Sequence, residues 1–175
     1  MAGLAAAPAA RGEGEAPYRL RLTETSVTEQ GRISDCDFKV QTRGYGFTVI
    51  APIGVGINYT ELTTYGDGPS SLGWTDARLR HSYVDVSYTY GDRWLVTTGA
   101  SYLVHGEIRL DGDKGLDAGS KASGESLFLG PGFGIGWFEA YWIYRRNWVD
   151  YQLKGHDRTL ASEHFQLGLG AKLAL

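Results

Sequence analysis

The sequence predicts an all-β protein in which eight antiparallel strands close up and down into a transmembrane β-barrel. Three observations predict it. Apolar and polar residues alternate with a period of two through almost the whole chain after residue 17, and no useful stretch has a helical period. The alternating runs are long beside the about 5 or 6 residues usual for strands. Tight turns and longer polar segments alternate between them, so that all the tight turns fall at one end, as in barrels with short turns on one side of a bilayer and longer loops on the other.

At 175 residues the chain is one domain's worth, enough for a core or a small closed barrel. Twenty-five glycines, eleven tyrosines and five tryptophans stand beside one methionine and one cysteine, which favours strands and turns over helices. A net charge of −3 argues against a nucleic-acid partner, which would favour a basic face. Cys36 is alone, so no disulfide can form within the chain. No apolar run is long enough for a transmembrane helix, but spanning strands need only about 9–11 residues with alternate positions apolar.

Residues 1–16, MAGLAAAPAARGEGEA, are small and then charged. AAAPAA offers an A-x-A cleavage pattern without the basic and apolar regions of a full signal. The segment is therefore read as a disordered leader or signal-peptide remnant, outside a single barrel domain of 17–175. The runs follow at 17–29, 38–51, 53–65, 77–90, 93–110, 125–138, 139–154 and 162–175. API (51–53), GDR (91–93) and WFE (137–139) are the tight turns. EQGRISDCD, GDGPSSLGWTD, DGDKGLDAGSKASG and KGHDRTLA are the longer connections. An even number of strands puts both ends of the barrel domain on the short-turn side.

The faces follow from parity. Val84, Val86, Tyr88 and Tyr90 oppose His81, Tyr83, Asp85, Ser87 and Thr89. In the next run Trp94, Val96, Ala100, Tyr102, Val104 and Ile108 oppose Thr97, Ser101, Leu103, His105, Glu107 and Arg109. SLFLGPGFGIGWF decides which face is wet, because Leu127, Leu129, Pro131, Phe133, Ile135 and Trp137 alternate with Phe128 and four glycines. A soluble lipid-binding barrel would turn its large apolar residues inward and set polar residues, not glycines, outside. Glycines inside a narrow barrel instead leave room for long side chains from facing strands.

The lumen is thus expected to hold a charge network of Arg19, Arg21, Asp85, His105, Glu107, Arg109, Arg145 and Lys172. Both signs are present and can pair where an isolated charge would be costly. A lipid-facing aromatic girdle is expected from Tyr90, Trp94, Trp137, Trp142 and Tyr144 near the short turns. Trp148, Tyr151, Tyr65 and Trp74 lie toward the long loops. The closing run HFQLGLGAKLAL turns Phe165 to Leu175 toward lipid and Gln166 and Lys172 inward, and it pairs with the first run. Pro131 lacks a ladder donor and should mark a bulge or a local break. In EAYWIYRRNWVDY either alternation leaves an arginine near mid-strand, so that register stays open.

With GVGINYT, DRWLVTTGASYL and the closing strand, residues 17–175 resemble in architecture the small eight-stranded outer-membrane β-barrels of Gram-negative bacteria: the OmpA transmembrane domain and the OmpX and OmpW types. GINYT followed roughly thirty residues later by DRWLV is similar to the OmpW type. The resemblance implies a place in the bacterial outer membrane, contact with membrane lipids and lipopolysaccharide, and a protein partner met through loops or barrel wall. It implies no cofactor. Such barrels usually end on an aromatic residue, where this chain has Leu175.

Catalysis needs its own test, since some barrels of this size act on lipopolysaccharide. The lipid A deacylases carry a lipid-facing His-x-Ser, which does not occur here. Ser101, His105 and Glu107 share a face, yet at about 3.3 Å per residue Ser101 and His105 stand roughly 13 Å apart. No catalytic residue is assigned. DGDKGLD (111–117) has Asp111, Asp113 and Asp117, but the sixth and twelfth positions of a calcium loop hold Leu116 and Ala122, so no metal site is assigned. GPGFGIG is followed by no helix and is no phosphate cradle. The expected function is a non-catalytic outer-membrane barrel with a filled lumen, acting as a structural, surface-interaction or accessory subunit. An OmpW-like conduit for small or apolar solutes is the alternative. A lipid-A-modifying enzyme and a soluble ligand-binding barrel rank behind both.

Overall fold

The computed structural model describes residues 17–33, 36–67, 76–111, 117–119, 122–153 and 156–173. Segment 1–16, Trp74, Asp113, Leu116 and Leu175 lie outside them. The strands are β1 (Tyr18–Ile33), β2 (Cys36–Ile50), β3 (Val55–Asp67), β4 (Asp76–Gly91), β5 (Trp94–Asp111), β6 (Asp117–Gly119), β7 (Ala122–Ile135), β8 (Phe138–Leu153) and β9 (His156–Leu173). All but β6 are long. They pair antiparallel in chain order, and β1 also pairs with β9, so the sheet closes into an eight-stranded barrel. β6 is a short addition on the far end of β5, pairing Ile108 with Gly119.

The strands run further than the side-chain pattern predicts. β1 and β2 pair out to Ile33 and Cys36, and β8 and β9 out to Leu153 and His156. Two of the expected long connections, EQGRISDCD and KGHDRTLA, are therefore mostly ladder. A ladder is held by backbone groups and does not need the apolar alternation to continue. At the opposite, lower end the first two tight turns are as expected, but the third is Gly136–Trp137 rather than 137–139, so Phe138 and Glu139 already belong to β8. Ala51 N donates to Val55 O at 2.8 Å, and Gly54 and Gly91 take φ of 89° and 98°, where a side chain would be strained.

The outer wall is apolar. Leu22, Ile57, Val86, Leu129 and Leu167 are exposed on it, and Trp94 is 75 % exposed. The soluble alternative requires Trp94, Phe133 and Leu169 inside; instead Leu169 is 59 % exposed and Phe133 sits half-buried with its ring 4.9 Å from that of Trp94. From Trp94 to Val104 the outer face of β5 carries no charge. That stretch, tilted as barrel strands are, spans about 25 Å, the height of a lipid-facing band.

Inside, lumen glycines receive aromatic rings. A Cβ at Gly168 would stand 2.1 Å from the Tyr141 ring, and one at Gly99 2.3 Å from the Phe128 ring. Pro131 interrupts the ladder without a bulge. The β7–β8 register is Leu129 to Tyr144 and then Gly132 to Tyr141, the same offset on both sides of the gap. The bulge lies elsewhere. Ser82 pairs with His105 but Tyr83 with Leu103, which makes Val104 an extra residue in β5. An extra residue reverses strand parity beyond it.

Candidate functional site

Buried side chains fill the lumen at three levels. Lowest, near the short turns, Arg19 and Arg21 converge from β1 on Glu139 at the start of β8. Arg19 Nη1 lies 3.1 Å from Glu139 Oε1, and Arg21 Nε donates to Glu139 Oε2 at 3.0 Å. Arg21 Nη1 also donates to Thr89 Oγ1 at 3.2 Å and Thr97 Oγ1 at 2.9 Å. Its guanidinium lies 4.6 Å from the Tyr141 ring centre, and the Tyr141 hydroxyl meets Thr23 Oγ1 at 2.8 Å. One carboxylate thus bridges two guanidiniums, each tied down by further hydrogen bonds.

In the middle, Arg145 of β8 forms a two-pronged pair with Asp85 of β4. Arg145 Nη1 donates to Asp85 Oδ1 at 3.2 Å, and Nη2 contacts Oδ2. Asp85 Oδ2 also accepts from Asn58 Nδ2 at 2.6 Å and Thr60 Oγ1 at 3.1 Å, while Arg145 reaches Ser101 Oγ at 3.1 Å. Both side chains are fully buried, and the guanidinium lies between the rings of Phe128 and Tyr83. Charge-assisted, fork-to-fork bonds of this kind offset the desolvation that burial imposes.

The upper lumen is filled differently. Leu62, Leu79, Tyr83, Leu103, Ile108, Val149, Tyr151 and Leu160 form one buried apolar cluster. His81 packs on the Tyr151 ring at 5.7 Å. Ile108 belongs to this plug because the Val104 bulge turned it inward.

The same bulge corrects the expected network. His105 and Arg109 are exposed, and the half-buried Glu107 pairs with Arg109 on the outer surface at 2.6 Å. None of the three joins the lumen charges, because they lie beyond the extra residue. Arg109 holds the Glu107 carboxyl below its ordinary range. Lys172 lies at the lower mouth, where its Nζ contacts the Asp92 carboxylate and donates to the Asp92 carbonyl at 3.2 Å. Arg19, Arg21, Asp85 and Arg145 do point inward, in two separate layers.

The open register of β8 resolves with Arg145 inside and Arg146 outside. Arg146 pairs with Glu163 at 3.4 Å, and both are about half exposed. Glu139 is the lumen residue that the sequence reading missed. It shares parity with Arg145 and was missed because 137–139 was read as a turn, whereas β8 begins at Phe138. Tyr90, Trp94 and Trp137 are exposed near the short turns and Trp142 lies higher on the same wall. Tyr144 packs on Phe165 at 5.4 Å, at mid-strand rather than beside a turn, and Trp148 lies half-buried under Arg146. Tyr65 is on the outer wall, but Tyr151 is in the upper plug, the reverse of its expected place.

Ser101 and His105 fall on opposite faces of β5: Ser101 is buried against Arg145 and His105 is exposed. Among the described residues no group of three or more His, Cys, Asp or Glu side chains is placed to hold a metal.

No family model matches the chain, and no curated protein matches it. Among solved structures it is similar to the crystal structure of Neisserial surface protein A (NspA), with a TM-score of 0.68, 12 % identity, and coverage of 89 % of this chain and 96 % of that one. It is also similar to Ail, the attachment invasion locus protein of Yersinia pestis, with a TM-score of 0.49, 11 % identity, and coverage of 90 % and 99 %. Identities this low speak for the fold alone, and the closed eight-stranded sheet with its apolar outer wall agrees with the first. The chain has the architecture of a small eight-stranded outer-membrane β-barrel.

Proposed function

We propose that this chain is a non-catalytic barrel of the bacterial outer membrane whose lumen is permanently shut, so that it works through its outer wall and its far end as a structural, surface-interaction or accessory subunit. The observation that carries this reading is the filling of the bore at three successive levels: the Arg19–Arg21–Glu139 layer, the Arg145–Asp85 layer and the apolar plug. Each charged residue of the two layers is 8 % exposed or less. A conduit needs a continuous wet path, and this stacking weighs against one. The separation of Ser101 from His105 favours a barrel without acyl-transfer chemistry. The outer-membrane location is supported by the fold likeness to Neisserial surface protein A and by the apolar outer wall, uncharged on β5 from Trp94 to Val104.

Planar-bilayer recordings on the refolded barrel test the closed lumen. The expected outcome is no steady conductance above the bare bilayer. Reproducible open levels in the unmodified protein would sink the reading and restore the conduit.

A further inference from the structure

Glu24 stands out on the outer wall. It is exposed there, opposite Tyr45 of β2 and Leu167 of β9, with Leu22 one outward position below it and Phe165 and Leu169 flanking Leu167. Its carboxylate sits at the top of the outward apolar run of β1, where Ser26 follows it and Arg43, Glu61 and Arg80 stand outward on the neighbouring strands, at the edge where a wall charge can meet polar headgroups. Above it opens a groove of about 630 Å³, lined by Glu24, Ser26, Gln41, Arg43 and Thr63 between the rings of Tyr45 and Tyr65.

The two halves of this lining differ in how they are held. Tyr45 donates its hydroxyl to Glu61 Oε2 at 3.0 Å, and Arg80 Nε fixes that carboxylate at 2.7 Å. Tyr65 lies under the Arg78 guanidinium at 5.5 Å. The rings are thus pinned. Glu24, Ser26, Gln41, Arg43 and Thr63 make no side-chain hydrogen bond or ion pair with a described residue. The groove therefore presents one guanidinium, one carboxylate, two hydroxyls and an amide, all unspent among the described residues, between aromatic walls held in place.

We propose that this groove binds the phosphorylated sugar head of an outer-leaflet glycolipid, with the phosphate on Arg43, the sugar's hydroxyl and amide groups on Glu24, Ser26, Gln41 and Thr63, and the acyl chains along Leu22, Phe47 and Leu167. The guanidinium suits a phosphate because its fork of donors matches the phosphate oxygens. Carboxylate, amide and hydroxyls beside aromatic faces suit a sugar, whose ring presents donors and acceptors around an apolar face. The groove straddles the upper edge of the apolar band, so its occupant must be amphiphilic. A plain phospholipid would satisfy Arg43 and leave the other polar groups unmatched. The proposal rests on the reading that the outer wall faces outer-membrane lipid.

Native mass spectrometry on the refolded barrel, offered diphosphorylated lipid A and phosphatidylglycerol in equal amounts, tests it. The expected result is lipid A retained about tenfold over phosphatidylglycerol, with Arg43→Gln and Glu24→Gln each removing most of that preference and Arg43→Lys restoring part of it. The variants should keep the heat-sensitive electrophoretic shift of a folded barrel, and Arg146→Gln on the same wall should leave the preference unchanged. Equal retention of the two lipids, equal loss with Arg146→Gln, or a second copy of the chain seated over Glu24 and Arg43 would overturn the proposal. Failure of the barrel to enter vesicles at all would instead sink the outer-membrane reading, and this proposal with it.

Discussion

The lower and upper halves of the lumen are filled by opposed physical means. Near the short turns, five buried charged residues and their hydroxyl partners fill the space with directed bonds. Beyond Tyr83 the filling is mainly leucine, isoleucine, valine and tyrosine in contact, with His81 packed among them and Asn147 bonded to Ser162 and His164 beside them. Directed bonds fix which side chain faces which, but their net stabilisation is small once desolvation is counted, and breaking one partner is severe. Apolar filling is forgiving in partner and contributes in proportion to the area it removes from water. The expectation that follows is that the lower half fixes which strands face each other and the upper half supplies more of the net stability.

The sharpest way to break that contrast is Arg145→Ala. It leaves Asp85 buried without its partner and should cost about 3–5 kcal/mol, read from urea unfolding in vesicles. Replacing both members, Asp85→Leu with Arg145→Met, should recover most of the loss, since no lone charge then remains; a double variant as weak as the single one would contradict the account. In the upper half, Leu79→Ala should cost about 2–4 kcal/mol through the cavity it leaves. It should open no conductance, because both ionic layers still stand below it. Arg146→Ala, one residue from Arg145 but on the outer wall, should cost less than about 1 kcal/mol, because its pair with Glu163 is half in solvent.

The smallest effect concerns Glu107, past the upper edge of the apolar band. Arg109 lowers its pKa from the ordinary 4.5, so the pair's contribution is present above that range and fades as pH falls through the lower, folded value. A carbon-detected NMR titration should place the Glu107 midpoint below 4.5, and Arg109→Ala should raise it.

Period two was enough to find all eight long strands, their order and the inward glycines, because burial on one face imprints alternation directly on sequence. Parity then carried Arg19, Arg21 and Asp85 to the inside. It failed at His105, Glu107 and Arg109, since a single inserted residue at Val104 reverses the face without any local signature; valine is as ordinary in a strand as in a bulge. The two adjacent arginines of β8 show a different limit. A sequence of mixed polar and aromatic residues fits either alternation, and only the partners, Asp85 for one and Glu163 for the other, decide. The Glu24 groove was hidden because an acid followed by Ser26 at the end of an outward apolar run reads as no more than the end of that run.

The lumen pairs are also far apart along the chain. Arg21 and Glu139 are separated by 118 positions, Arg145 and Asp85 by 60. A half-made sheet holding only β1 to β5 would carry Arg19, Arg21 and Asp85 without the partners they have in the barrel, since Glu139 and Arg145 both lie in β8. The lumen pairs are thus contacts that only a sheet containing β8 can make: short of it Arg19, Arg21 and Asp85 stand unpaired, and with it Glu139 is shared by two arginines and Asp85 is held by Arg145.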